Sequence, residues 1–214
     1  IRSRPEEAVP SHRLCELLRT LGTDAANRVV ICSGRDSGTL EKWFGGLPVS
    51  LAAEHGAFYK DRGAWRCNIR PASWDPKLSA LLEHFARKTP RSRIERKQTA
   101  LAWHYRQSDA WLGSLRAQQL VNHLAPLCSR LRLQIMQGDK VVEIKSPRFT
   151  KGSETLRLLR QERYDFILAL GDDTTDDDMF AALPPRALSI KIGNASEHAR
   201  YNMPEQSEVV PLLE

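Results

Sequence analysis

The stretch Leu168–Phe180, LALGDDTTDDDMF, sets five aspartates into seven positions directly after an apolar run. Two carboxylates held ~4 Å apart repel by about 4 kcal/mol at an effective dielectric near 20. A chain that gathers this much negative charge where a strand surfaces has either a solvated acidic loop or a place for a cation. In an open α/β sheet, ligands bind beyond the carboxyl ends of parallel strands. Asp172 and Asp173, after Gly171, fall at such an end. Hard carboxylate oxygens there suit magnesium, which takes one or two protein carboxylates and completes its octahedron with water and phosphate oxygens. The competing reading makes both residues turn or capping groups. Asp176, Asp177 and Asp178 also fit the first turn of a helix, where negative charge is favoured.

Working outward, the pattern around this stretch is that of an α/β layer. Ser11 can cap a helix carrying Leu14, Leu17, Leu18 and Leu21 on one face, with Gly22 at its end. RVVICSGRD reads as a buried strand, a turn and a second helix through Leu40, Trp43 and Phe44, and VSLAAEHGAFY as a strand reaching a polar turn. After Pro147 the same alternation resumes: Lys151 opens a helix, DFILAL is a strand, and ALSIKIG and EVVPLL read as strands or extended pieces. Alternating helices and strands predict a largely parallel sheet.

The middle differs. PKLSALLEHFARK is an amphipathic helix, SRIERKQTALAWHYR holds two extended segments, and a long helix follows from Ala110 to Arg130. LRLQIMQG and KVVEIKS then alternate as two strands joined at Gly138 and Asp139, a hairpin signal. The expectation is an α/β domain, 1–68 with 147–214, interrupted by an α+β module, 69–146.

Composition sets outer bounds. The 214 residues are enough for one large domain or two small ones, and 41% apolar with 27% charged is ordinary for a globular chain. The net charge of +6 favours anionic partners, but the basic residues are scattered apart from Arg87–Lys97, and no nucleic-acid recognition motif accompanies them. No apolar stretch is long enough to span a bilayer. The four cysteines stand far apart with no C-x-x-C spacing, which removes zinc and redox motifs and fits a reduced, cytoplasmic setting.

Two further segments point to an anion. CSGR ends a strand: Ser33 offers a hydroxyl, Gly34 permits close backbone approach, and the following helix is expected to present free N–H groups to phosphate. A strand-to-helix turn with a capping serine explains the same four residues. Lys151 starts a helix, where the dipole disfavours a cation. A phosphate group and the aspartates would supply the reason.

In that order, SGR, a lysine opening a helix, and GDDTTDDDMF resemble the haloacid-dehalogenase-like phosphatases. RPEEAVPS, AAEHGAF, IERKQTALAWHYR and GDKVVEIKS are similar to the hallmark runs of the trehalose-6-phosphate phosphatases and span almost the whole chain. Thr174, where the family often carries a basic residue, and Asp177, where glutamate is common, depart from the pattern. The resemblance implies a Rossmann-like core with a parallel sheet and an inserted α+β cap. It also implies magnesium, trehalose 6-phosphate as substrate, and fusion to or association with a trehalose-6-phosphate synthase. Neither nucleic acid nor membrane is implied.

The family nucleophile lies in an Asp-x-Asp-Gly-Thr run that is expected upstream of Ile1, and without it the chain is expected to release no phosphate. That aspartate would form an aspartyl-phosphate, and a second one would act as acid and then base. By position, Ser33, Lys151 and Asp176 are the catalytic candidates, with Asp176 orienting Lys151, and Asp172 and Asp173 are the metal candidates. Gly34, Arg35, Glu54, His55, Lys97, His104, Arg106, Lys140 and Glu143 are the candidate substrate contacts. Glu143 with Lys145 also reads as the wet face of a strand, and Trp103 and Tyr105 as core. A related sugar-phosphate phosphatase, or a catalytically silent homologue that regulates or scaffolds a trehalose-making partner, are the alternatives.

Overall fold

The computed structural model describes residues 9–61, 63–67 and 74–214. The Arg4–Ala8 part of the RPEEAVPS run and the expected boundary at Asn68 lie outside them. Packing divides the chain into two compact units, Ile1–Asn68 with Phe149–Glu214, and Ile69–Arg148.

The first unit begins with α1 (His12–Thr23), whose amino end is capped by the Ser11 side chain accepting from Leu14 N. β1 (Val30–Cys32) leads into α2 (Ser37–Phe44), and β2 (Ser50–Ala53) pairs parallel with β1, Cys32 opposite Ala52. The chain then reverses through a tight turn at Glu54–Gly56, and β3 (Phe58–Lys60) and β4 (Arg66–Cys67) add antiparallel strands. After α5 (Lys151–Gln161), a second sheet runs β11–β10–β9, all parallel, from β9 (Leu168–Gly171), β10 (Leu188–Ile192) and β11 (Tyr201–Met203). α6 (Thr175–Ala182) follows β9 directly.

The core of this unit gathers Leu40, Phe44, Leu51, Ala52, Ala53, Phe58, Phe180 and Ile192. EVVPLL departs from the expectation of an extended piece. Glu208 ends a short 3-10 turn and Val209–Leu213 form α7, with Pro211 within the first turn, where its missing N–H costs nothing.

The second unit packs two helices on one face of an antiparallel sheet of order β5–β6–β8–β7. α3 (Pro76–Lys88) buries Leu78, Leu82 and Phe85, and α4 (Ala110–Leu131) buries Ala117, Leu120, Leu124 and Cys128, a 3–4 residue spacing in both. The strands are β5 (Arg93–Arg96), β6 (Ala100–His104), β7 (Gln134–Gly138) and β8 (Val141–Lys145). Leu101, Trp103, Val142 and Ile144 meet the helices, and the buried Trp103 indole donates to Ser92 Oγ at 3.1 Å. The other face of β6 carries Ala100, Ala102 and His104. Ala100 and Ala102 at its centre are buried.

Candidate active site

The carboxyl end of β9 and the start of α5 are joined by one buried ion pair. Lys151 Nζ lies 2.6 Å from Asp176 Oδ1, and both side chains are less than a tenth exposed. Asp176 Oδ2 accepts from Asp173 N at 2.9 Å, so one carboxylate binds the lysine and the backbone of the acidic turn together. A cation in the first turn of a helix opposes the dipole, and here Asp176 offsets it. The amino end of α5 is closed by its own side chains, Thr150 accepting from Ser153 N while Ser153 Oγ accepts from Thr150 N. α5 and α6 touch closely at Gly152, where a Cβ would stand 2.5 Å from the carbonyl oxygen of Asp178.

The Ser33–Arg35 loop is held from beneath by the reversal after β2. Glu54, His55 and Gly56 all have positive φ (47°, 61° and 92°), a left-handed run that two side-chain-bearing residues adopt only under constraint. The constraint is hydrogen bonding to the loop: Glu54 N donates to Arg35 O and His55 N to Ser33 O, each at 2.9 Å. The His55 ring fills the space over Gly34, where a Cβ would meet it at 2.9 Å. Gly56 in turn abuts Glu154 of α5, itself buried and clamped by Arg157 at 2.8 and 2.6 Å. The turn thus ties the serine loop to the helix that carries Lys151. Cys32, just before Ser33, stays protonated, its thiol pushed up to about 12 by burial, with Lys151 working in the opposite direction.

The amino end of α2 is less open to a phosphate than expected, because the Asp36 carboxylate caps it, accepting from Thr39 N at 2.9 Å and from Thr39 Oγ1 at 2.6 Å, and sets a negative charge beside the amides that remain. Burial pushes this carboxyl up, but the bonds from Thr39 and from the neighbouring amides outweigh it and hold it below the usual range. Ser33 Oγ accepts from Arg35 N at 3.2 Å, and the Arg35 guanidinium lies 4.4 Å over the Trp43 ring. Glu54 and His55 are buried, and their backbone frames the loop.

The acidic turn divides its charges unequally. Asp176 belongs to Lys151. Asp177 lies 3.1 Å from the buried Lys191 of β10. Its carboxyl is raised by burial but held below the ordinary value by Ser196, Lys191 and His198. Asp173 turns into its own helix, accepting from Thr174 N, Thr174 Oγ1 and Thr175 Oγ1 at 2.7, 3.2 and 3.4 Å. Asp172 is exposed and takes no hydrogen bond or ion pair among the described residues. Those residues hold no cluster of three His, Cys, Asp or Glu able to enclose a metal. A single hard, uncommitted carboxylate at a strand end fits magnesium, which needs few protein ligands, and does not fit an ion that demands a closed protein cage.

In the second unit the candidate sugar contacts separate into two groups. Lys97 Nζ lies 3.3 Å from Glu143 Oε2, and His104 Nε2 lies 2.7 Å from Glu95 Oε2, on the sheet face that carries Ala100 and Ala102. Arg106 and Lys140 stand at the hairpin end instead. Arg106 pairs with Asp139 at 2.8 Å, and Lys140 Nζ lies 3.5 Å from Ser114 Oγ of α4 and 5.8 Å from the Tyr105 ring. The structure therefore does not bring Lys140 together with Lys97 and Glu143.

Comparison with known proteins follows the same lines. The trehalose-phosphatase family profile matches residues 1–207. The chain belongs to the trehalose-phosphatase family. The trehalose-phosphatase of Zygosaccharomyces rouxii is 40% identical over 205 residues, which cover 84% of this chain and 23% of that one. The alpha,alpha-trehalose-phosphate synthase [UDP-forming] B of Dictyostelium discoideum is 36% identical over 98% of this chain and 28% of its own length. The chain thus spans about a quarter of the curated relatives it matches. Among solved structures, the C-terminal domain of the C. albicans trehalose-6-phosphate phosphatase superposes with a TM-score of 0.90 at 32% identity, covering all of this chain and 86% of that one. The fold is the haloacid-dehalogenase-like one.

Three residues of this trehalose-phosphatase family member lie outside the candidates that its sequence names. Asp36 and Lys191 look like ordinary surface groups in a turn and an alternating strand. Glu95 carries a legible signal, because Glu95 and Lys97 alternate with Ile94 and so share the polar face of β5. The hydrogen bond from His104 holds the Glu95 carboxyl below its ordinary value of 4.5, aided by Lys97 and Arg93 and opposed by burial. A depressed carboxyl contributes stability that is present above its unfolded value and lost as pH falls through the folded one. Glu95→Gln is therefore expected to lower the thermal midpoint of this unit near pH 6, with the gap from the parent closing as pH falls below about 4.5. A gap that stays constant down to pH 3 would show that the pair adds nothing through charge.

Proposed function

We propose that this chain is the phosphatase portion of a cytoplasmic, magnesium-dependent enzyme that hydrolyses trehalose 6-phosphate to trehalose and phosphate, in a protein that carries or associates with a trehalose-6-phosphate synthase. The observation that carries the reading is the division of charge around β9. Lys151 is buried against Asp176 at 2.6 Å, while neighbouring Asp172 remains uncommitted among the described residues. That arrangement provides a cation to meet a phosphoryl oxygen and, in the same acidic turn as its partner Asp176, an anion to hold a metal.

Each residue then has a task. The Ser33 hydroxyl donates to a phosphoryl oxygen, and the Glu54–Gly56 reversal keeps that loop in place. The Lys151 ammonium stabilises charge that develops on the equatorial oxygens. Asp176 fixes the direction of that ammonium, and Asp172, aided by Asp173, would hold magnesium. When bound, magnesium supplies charge neutralisation for a phosphate oxygen and the attacking carboxylate. Phosphoryl transfer to an aspartate, followed by hydrolysis, divides one difficult displacement into two easier ones. The polar sheet face of the second unit, with Lys97, Glu143, His104 and Glu95, is the sugar-reading surface, since a disaccharide presents hydroxyls that need both donors and acceptors. Arg106 and Lys140 are assigned to its hairpin end.

The test is phosphate release by the full-length protein from trehalose 6-phosphate and a panel of other sugar phosphates. Trehalose 6-phosphate is expected to be preferred, and a flat profile across the panel would move the assignment to a general sugar-phosphate phosphatase. Asp172→Asn is expected to lower turnover about a hundredfold or more, since a bound metal supplies several kcal/mol to the transition state. Unchanged turnover at limiting magnesium would take Asp172 out of the metal site.

A further inference from the structure

Lys191 is the most deeply committed charge near β9 to which the phosphatase reading gives no task. It lies on β10, opposite Gly171 of β9 in register, and is only 5% exposed. Its ammonium donates to the carbonyl oxygen of Asp173 at 2.6 Å and to Asp177 Oδ1 at 3.1 Å. The strand beneath it is latched from the other side. Asn202 of β11 donates through Nδ2 to the carbonyls of Lys191 and Gly193, both at 2.9 Å. A buried ammonium is retained only where its partners repay its desolvation. Here one partner is a main-chain carbonyl, a group that no ion pair requires.

That carbonyl belongs to the residue immediately after Asp172. Its direction fixes the peptide plane that follows Asp173 and, with the bond from Asp173 N to Asp176 Oδ2, leaves the turn gripped at both its amide and its carbonyl. We propose that Lys191 is a positioning residue for the metal site: it holds the Asp172–Asp173 turn in the conformation that presents Asp172 to magnesium. The inference rests on the assignment of Asp172 as the metal ligand. Lys191 contacts neither substrate nor metal and acts through the backbone.

Position and charge predict opposite signs. An ammonium close to an acidic turn opposes a divalent cation through charge alone, so if charge were its only effect, removing it would tighten magnesium binding. If Lys191 acts by position, removing it releases the turn and weakens binding. Titration calorimetry of the full-length protein with magnesium alone, without substrate, separates the two. Lys191→Met is expected to weaken magnesium binding about tenfold, the lower end of the range for outer-shell partners of metal ligands, and Lys191→Gln, which keeps one donor for the carbonyl, by less than that. Turnover in both variants is expected to recover at high magnesium, so that the loss is read in the metal requirement rather than in kcat. If Lys191→Met does not fold, as judged by circular dichroism, Lys191→Gln decides by the same sign. Tighter or unchanged binding in a folded variant overturns the proposal.

Asp172→Asn serves as the reference. If it abolishes magnesium binding while the Lys191 variants bind like the parent, the positioning role alone fails. If Asp172→Asn itself binds magnesium like the parent, the assignment of the site fails, and the role of Lys191 falls with it.

Discussion

Lys151→Ala is expected to lower kcat for trehalose 6-phosphate about 100- to 1000-fold, the cost of removing one preorganised donor from developing oxyanion charge. The same change leaves the Asp176 carboxylate buried without its cation, which costs about 3–5 kcal/mol when one partner of a buried pair is removed. Activity and stability should therefore fall together, and a second variant is needed to part them. Lys151→Met combined with Asp176→Asn neutralises both partners and keeps an acceptor for Asp173 N. Most of the thermal stability should return while turnover stays low. Stability that returns together with turnover would show that the lysine serves only the fold. Turnover within tenfold of the parent in Lys151→Ala would remove it from the phosphoryl chemistry.

Gly171→Ala should be nearly as damaging, although it adds a single methyl group. The new Cβ would stand 2.3 Å from Cγ of Asp176 and 2.6 Å from its Oδ2. Asp176 cannot yield, since it is held by Lys151 at 2.6 Å on one oxygen and by Asp173 N at 2.9 Å on the other. Either β9 shifts or both bonds stretch. Overpacking of this kind costs about 1–3 kcal/mol, and displacing a catalytic group by about 1 Å can cost about a hundredfold in rate. Gly46, where an added methyl would meet nothing within 4 Å among the described residues, is the control. Gly46→Ala should leave stability within about 0.5 kcal/mol and turnover unchanged. Gly171→Ala with the stability and rate of the parent would mean that the close approach of β9 and α6 has no consequence for the site.

Much of the architecture was legible because it rests on local rules. Leu168–Gly171 is an apolar run that ends on a glycine and acidic residues, and it forms a strand followed by a helix. The Ser11 cap, the long helix from Ala110 and the β7–β8 hairpin each follow from one short-range signal, although the hairpin turn is Asp139–Lys140, one position beyond the expected Gly138–Asp139, because Gly138 still pairs with Val141. What was not legible depends on tertiary contact. The reversal at Glu54–Gly56 needs three successive left-handed residues, and only Gly56 announces one. The antiparallel strands after it were therefore hidden. Tyr201–Met203 is too short to show a period and becomes a strand through pairing with β10.

The site divides in the same way. The residue types near Ser33, Lys151 and Asp172 are what lead the sequence reading to expect phosphate and a metal there. Which carboxylate is committed and which is available cannot be read from DDTTDDD, because the partners, Lys151 and Lys191, come from distant segments. Asp36 is the sharpest instance. Its effect on α2 depends on a side-chain direction that the run SGRD does not specify, and it sets a carboxylate beside the amides expected to meet phosphate.

The capped amino ends of α2 and α5 have a consequence for ligands. With Asp36 seated on one and Thr150–Ser153 spanning the other, each helix has fewer amides left to give an incoming anion. An anion that reaches α2 also meets the Asp36 carboxylate, which repels it. A compact anion that can sit apart from that carboxylate loses less than a bulky one that must lie across it. Inhibitor chemistry for this site is best begun from small phosphate mimics such as phosphonates, not from bulky diffuse anions.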